Sequence, residues 1–259
     1  MWRTRWRPAT RLSFLSEKLR GLRWKKAAFL ATWEFWRATL AFPQCLRCIR
    51  LPSTQRRGTR LWWTAFLAQT KDGTPLTIMA NIGTVEEAKI AVEEGADGIG
   101  LFRTEFLFMS ENTFSEEAQF KAYKTVLEMM GQKPVTIRTL DAGGDKLVPM
   151  KDLLVHDEKN PLMGLRAIRL SLAHPQQLRT QLRALYRASV YGNLKIMLPL
   201  ITDISQVQKA KQLAAEVRDS LAADGIPFKA DVPIGIMVET AAAAITVDRL
   251  ATVSDFFSI

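Results

Sequence analysis

The sequence predicts an α/β protein built as an incomplete (β/α)8 TIM barrel, with about six of the eight strands, preceded by an irregular basic segment. Three observations lead there. Short apolar runs alternate with helical patterns, which implies a parallel sheet with helices outside it. Three of the runs end in a charge where a buried strand should be neutral: Arg103 after GIGLF, Arg138 after VTI and Glu239 after IGIMV. The dinucleotide fingerprint G-x-G-x-x-G is absent from the first strand–helix turn, so an open nucleotide-binding sheet loses ground. A barrel gathers working residues at the C-terminal ends of several strands, and Asn81, Arg103, Arg138 and Glu239 sit at such ends.

The chain has 259 residues and a net charge of +10. That charge is not spread evenly. Up to Trp63 there are fifteen Lys and Arg against Glu17 and Glu34, a net of +13, which leaves −3 for the remainder. All seven Trp and both cysteines, Cys45 and Cys48, also lie in the first segment. Residues 1–65 show no steady helical or strand period, and Pro8, Pro43 and Pro52 interrupt them. An organelle transit peptide fits the basic composition but not the tryptophans. A basic aromatic arm for nucleic acid or membrane is a second reading. A single CxxC offers two ligands where zinc takes four. The favoured expectation is that 1–65 is a non-native or disordered stretch and that the folded domain spans 66–259. That domain is mildly acidic and free of cysteine, which suits a reducing compartment and argues against nucleic-acid binding. No apolar run reaches the roughly 20 residues of a membrane span.

From Phe66 the elements follow in order. Thr77–Asn81 reads as a short buried strand. Thr84-Val85-Glu86-Glu87 is a capping box that opens a helix with Val85, Ala88, Val92 and Ala96 on one face, ended by Gly95. GIGLFRTEF is the second strand. Thr113-Phe114-Ser115-Glu116 reads as a further capping box, opening a helix that runs to Met130 and stops at Gly131. Val135–Ile137 is the third strand, followed by a loop of about twenty residues, a length that is usually functional or disordered. Helices are predicted from Pro161, across Arg166 and Arg169, and from Pro175. Leu194–Leu198 is the fourth strand, a helix covers Ser205–Ala222, Ile234–Val238 is the fifth strand, an Ala-rich helix starts near Thr240, and Asp255–Ile259 begins the sixth.

Two arginines at neighbouring strand ends suit an anion, because a guanidinium stays charged and grips phosphate or carboxylate in two-pronged fashion. The plainer alternative pairs Arg103 with Glu105, and Arg138 with Asp141. Paired glycines in Asp141-Ala142-Gly143-Gly144-Asp145-Lys146 let backbone N–H groups approach an anion, although a plain turn reads equally well. Glu239, ending a buried strand, should be paired or hold a hard cation such as Mg2+. His156 and His174 read as solvated surface histidines.

The segments ANIGTVEEA, GIGLFRTEFLFM, IRTLDAGGDK, NPLMGLRAIRL, IMLPLI, GIMVET and DFFSI, in this order, resemble the barrel domain of phosphoenolpyruvate–protein phosphotransferase, enzyme I of the bacterial sugar phosphotransferase system. The resemblance covers about three quarters of the chain, from Phe66 to Ile259. Pyruvate phosphate dikinase and phosphoenolpyruvate (PEP) synthase are related barrels with a weaker likeness. The resemblance implies a cytoplasmic phosphotransferase that moves the phosphoryl group of PEP to a histidine on its own N-terminal domain. The phosphocarrier HPr receives it next, in sugar uptake. The resemblance further implies that Arg103, Arg138, Lys146 and Arg166 bind PEP, that Glu239 is the first Mg2+ ligand, and that the intact protein is a homodimer. The family's phosphorylated histidine, its GTNDL continuation after DFFSI and its proton-donor cysteine have no match here. The expectation is therefore a fragment with no catalytic residue of its own, inactive alone, and with two open sheet edges. A non-catalytic binding module with a basic aromatic arm is the alternative.

Overall fold

The computed structural model describes residues 75–109, 115–143 and 164–259. These fall in one compact unit. The basic segment 1–65, Thr113, Lys146, His156 and the predicted helix start at Pro161 lie outside them.

Six strands carry the fold: β1 (Met79–Ile82), β2 (Gly98–Arg103), β3 (Pro134–Arg138), β4 (Asn193–Leu198), β5 (Ile234–Met237) and β6 (Phe257–Ser258). Every neighbouring pair is parallel, and the spatial order β1-β2-β3-β4-β5-β6 equals the chain order. This order never doubles back. A doubly wound sheet reverses direction at a switch point, whereas a barrel winds one way throughout. The winding therefore decides for six strands of a (β/α)8 barrel.

Helices fill the crossovers: α1 (Val85–Glu93), α2 (Glu116–Met130), α3 (Ile168–Ala173), α4 (Pro175–Ala188), α5 (Ile204–Ala223), α6 (Ala241–Ile245) and α7 (Val247–Ala251). The caps are local and sequence-encoded. Thr84 accepts from the Glu87 N–H, while Glu87 reaches back to the Gly83 N–H rather than to that of the cap itself. Ser115 caps α2 by accepting from the Ala118 N–H. Pro175 occupies the first turn of α4, where its missing N–H costs nothing. Asp203 and Gln206 form a reciprocal capping box on α5.

The core lies between sheet and helices. Ile99, Phe102, Val135, Ile137, Leu194, Ile196, Leu198, Ile234 and Ile236 project from the strands into one cluster with Tyr123, Leu127, Leu178, Leu182, Leu185, Val207 and Val217 from the helices. Along β3 and β4 the period of two sends the alternate residues, among them Thr136, Arg138 and Met197, to the other face of the sheet, whereas β2 is irregular between Ile99 and Phe102. Two expectations need correction. The first strand is mostly not buried: Ile78, Met79 and Asn81 are exposed while Ile82 is buried, because among the described residues β1 has a neighbour on one side only. On α1 the inward residues are Ala88 and Ala91, with Val92 exposed, since small residues let that short helix approach the sheet closely.

Candidate functional site

The C-terminal ends of β2 and β3 are in register, with Arg103 the partner of Arg138. Adjacent strands lie about 4.8 Å apart, so two cationic side chains start from neighbouring positions on one edge. Their surroundings differ. Arg138 is 5 % exposed and forms ion pairs with Glu105 and with Asp141 Oδ2, the latter at 3.2 Å. Its Nη1 also contacts Met237 Sδ on β5 at 3.7 Å. Arg103 makes no ion pair among the described residues. Its guanidinium lies over the Phe106 ring, 5.2 Å from the centroid, and its Nε is buried without a hydrogen-bond partner. The sequence alternative that paired Glu105 with Arg103 is thus not what forms; Glu105 crosses to Arg138.

Phe106 is half exposed and packs over Gly83, where a Cβ would stand 2.6 Å from the ring. The absence of a side chain at Gly83 is what lets the ring lie beneath Arg103. The turn after β1 thereby shapes the end of β2.

Arg166 joins the same group. Its Nε donates to Asp141 Oδ1 at 3.0 Å and its Nη2 approaches Oδ2 at 3.4 Å. Asp141 thus lies between Arg138 and Arg166, and all three side chains are buried. Arg166 was expected on a helix; it precedes α3, separated from it by Ala167 at a φ of 52°. Gly143 makes the contact possible. It has a φ of 107°, and a Cβ there would meet the Leu165 carbonyl oxygen at 2.7 Å. The Ala167 N–H then donates to the Ala142 carbonyl at 2.9 Å, which clamps 141–143 against 165–167. Of the glycine-rich loop, this much has a demonstrated role: close backbone packing.

Glu239 stands apart, after β5. It is exposed, and its Oε1 accepts the Leu200 N–H at 2.7 Å. The next residue, Thr240, is buried, donates to the Ile201 carbonyl at 2.7 Å and caps α6. These two bonds tie the turn after β4, where Leu200 has a φ of 54°, to the turn after β5. The other oxygen of Glu239 has no partner among the described residues. Among the described residues no group of three His, Cys, Asp or Glu side chains converges there either. One free carboxylate oxygen at a strand end fits a hard cation that completes its shell with water and ligand oxygens. It would not suffice for a cation held wholly by protein.

Residues that sequence reasoning passed over lie behind the arginines. Gln181 of α4 is 2 % exposed, although it interrupts the apolar face of Leu178, Leu182 and Leu185. A polar side chain in that face was the available signal. Its amide meets the Leu140 N–H, Thr104 Oγ1 and the Tyr123 hydroxyl, and Tyr123 in turn donates to Gln119. Burial pushes the Tyr123 hydroxyl well above the ordinary phenol range, against the smaller opposing effect of Gln181.

The family model described as "PEP-utilising enzyme, PEP-binding domain" matches residues 59–259. The phosphoenolpyruvate-protein phosphotransferase of Bacillus sp. (strain S) is 50 % identical over 191 residues, which is 73 % of this chain and 33 % of the relative. That of Priestia megaterium is 50 % identical over 183 residues, 70 % of this chain and 32 % of the relative. That of Bacillus subtilis (strain 168) is 47 % identical over 190 residues, 73 % of this chain and 33 % of the relative. The match thus spans about a third of the length of these relatives. No helix among the described residues is long and apolar enough to cross a membrane.

Proposed function

The chain belongs to the family of PEP-utilising enzymes through their PEP-binding domain, and from that premise we propose that its strand ends receive PEP as part of a phosphoenolpyruvate–protein phosphotransferase. The observation that carries this reading is the pair Arg103 and Arg138, in register on neighbouring strands, with Arg103 in no ion pair among the described residues. PEP holds a phosphate and a carboxylate on one small frame. Arg103, partly open, takes an oxygen of the phosphate. Arg138 presents its remaining donor capacity from a position that Glu105 and Asp141 hold still. Arg166 acts on the same side of the site through Asp141, and Lys146 completes the cationic lining.

Phosphoryl transfer asks little covalent chemistry of the protein; positioning and charge stabilisation do most of the work. Fixed arginines supply both without reorganising during the reaction. Glu239 contributes the one carboxylate for Mg2+. When bound, the cation neutralises charge on the phosphoryl oxygens. The acceptor is a histidine of a further domain of the same protein, and HPr follows it in a sugar-uptake relay. A cytoplasmic, homodimeric protein and a domain boundary near residue 65 belong to the same reading.

The test is binding. The full chain is titrated with PEP in the presence of Mg2+, and the melting temperature is followed. A saturable rise is expected, because a ligand that binds only the folded state stabilises it by mass action. Arg103→Gln should abolish the rise while leaving the unliganded melt in place. A folded wild-type chain that shows no response to millimolar PEP with Mg2+ would overturn the proposal.

A further inference from the structure

A positioning device lies one layer behind the arginines. We infer that Gln181, on the outer helix α4, sets the geometry of the β2 and β3 ends and thereby the placement of Arg103 and Arg138. The inference rests on the PEP-binding reading only for the ligand used to probe it.

The argument begins with donor direction. The Leu140 N–H, two residues beyond Arg138, can only donate, so the amide group facing it at 2.9 Å is the Gln181 oxygen. The amide nitrogen therefore faces the two hydroxyls, Tyr123 at 3.1 Å and Thr104 at 3.4 Å. The Thr104 hydroxyl spends its own proton on the Arg138 carbonyl at 3.0 Å, which leaves it free to accept from Gln181. The Tyr123 hydroxyl donates to Gln119 Oε1 at 3.2 Å and likewise accepts from Gln181. One backbone N–H and one backbone C=O, both at the end of β3, thus fix the orientation of the Gln181 amide and the direction of the Thr104 hydroxyl.

All of these side chains are buried. In a low-dielectric interior an incomplete polar network is heavily penalised, so the arrangement resists distortion. Thr104 directly follows Arg103 in the chain. Leu140 and the Arg138 carbonyl bracket the other strand end. Gln181 therefore touches both strand ends within two residues of each arginine, from a helix some 40 residues further along the chain. It does not touch the ligand site itself; it acts through the backbone. An apolar residue at 181 would leave the Leu140 N–H without its acceptor and take from the Thr104 and Tyr123 hydroxyls the donor that links them.

The experiment compares the full-length Gln181→Met variant with Leu182→Ala, a control that removes core packing from the next position of the same helix. Both are studied at a temperature where each is fully folded. Arginine Nε–Hε resonances are recorded without ligand, and PEP affinity is measured with Mg2+. Gln181→Met should shift the Arg103 and Arg138 resonances and weaken PEP at least tenfold, whereas Leu182→Ala should lower the melting temperature and do neither. Unmoved resonances in folded Gln181→Met overturn the inference, as do shifts equal to those of Leu182→Ala. Should Gln181→Met not fold, Thr104→Val is expected to shift the same resonances and Thr104→Ser, which keeps the hydroxyl, to restore them; equal spectra for those two overturn it. A wild-type chain that ignores PEP would sink the function proposed above, while the ligand-free resonances still decide the role of Gln181.

Discussion

Arg103 and Arg138 are register partners across β2 and β3, and Glu105, two residues from Arg103, pairs with Arg138. The register explains the division of labour. Arg138 is anchored by two carboxylates on its own edge of the site. Arg103 rests on an aromatic ring and makes no ion pair among the described residues. Two arginines of one motif type therefore differ in what their removal should cost.

Arg138→Gln should destabilise the chain strongly, by about 3 kcal/mol, because it removes the buried cation that Glu105 and Asp141 share and leaves Asp141 to Arg166. Arg103→Gln should change stability by less than about 1 kcal/mol, since no buried counter-charge is left behind. Urea unfolding of the two variants side by side checks the contrast. Equal losses would mean that Arg103 carries a structural ion pair after all.

Gly143→Ala should cost on the order of 2 kcal/mol. The residue has a φ of 107°, and its Cβ would collide with the Leu165 carbonyl at 2.7 Å. The backbone would have to give, which loosens Asp141 from Arg166. Denaturant unfolding should show the loss, and a neutral result would place the 141–143 segment elsewhere.

Gly83→Ala should behave differently. The clash is with the half-exposed Phe106 ring, 2.6 Å away, and the ring can swing toward solvent. Stability should fall by less than about 1 kcal/mol. PEP binding, where wild type shows it, should weaken because Arg103 loses its support. A variant with unchanged binding would remove Phe106 from the site.

Alkali should destabilise the fold through its buried phenols. Burial raises Tyr123 and, with a smaller contribution from Asp255 and an opposing one from Arg218, Tyr186. Both folded-state values lie above the unfolded one of about 10. Their contribution is therefore complete below that pH and is lost as pH rises above it, because only the unfolded chain can then release the proton. Denaturation midpoints should hold steady up to about pH 10 and fall beyond it, with a shallower fall in Tyr123→Phe. A flat profile through pH 11 would show that the hydroxyls meet water.

Glu116 accepts from Arg183 at 2.9 Å and from Arg187 at 2.7 Å, which ties the start of α2 to α4. It also sits in the first helical turn, where negative charge is favoured. Glu116→Gln should cost about 1 kcal/mol at low salt and less at high salt, as screening weakens a half-exposed network. Melts at two salt concentrations separate this from a packing effect.

Much of the fold was legible because its signals are local. Alternating apolar runs, the Thr84 cap, Pro175 and Gly131 each act within a few residues. Boundaries held to within one or two residues for β4, β5 and α5. The burial of β1 was misjudged for a non-local reason: an apolar run looks the same at the edge of a sheet as at its centre. Gln181 was missed for a similar reason. Nothing in Leu178-Arg179-Thr180-Gln181-Leu182 announces that its partners are Thr104, Tyr123 and Leu140.

By itself the sequence determined the alternation of strands and helices and put Arg103, Arg138 and Glu239 at strand ends, because the period of apolar residues and the residue that breaks it are written in consecutive positions. Only the tertiary structure decided the partners. Glu105 chose Arg138 over Arg103, Asp141 joined Arg138 to Arg166, and Glu239 took the Leu200 N–H. Such choices depend on strand register and on how closely backbones approach, at Gly143 above all. They are settled when strands far apart in the chain lie side by side, and short-range pattern carries no record of that.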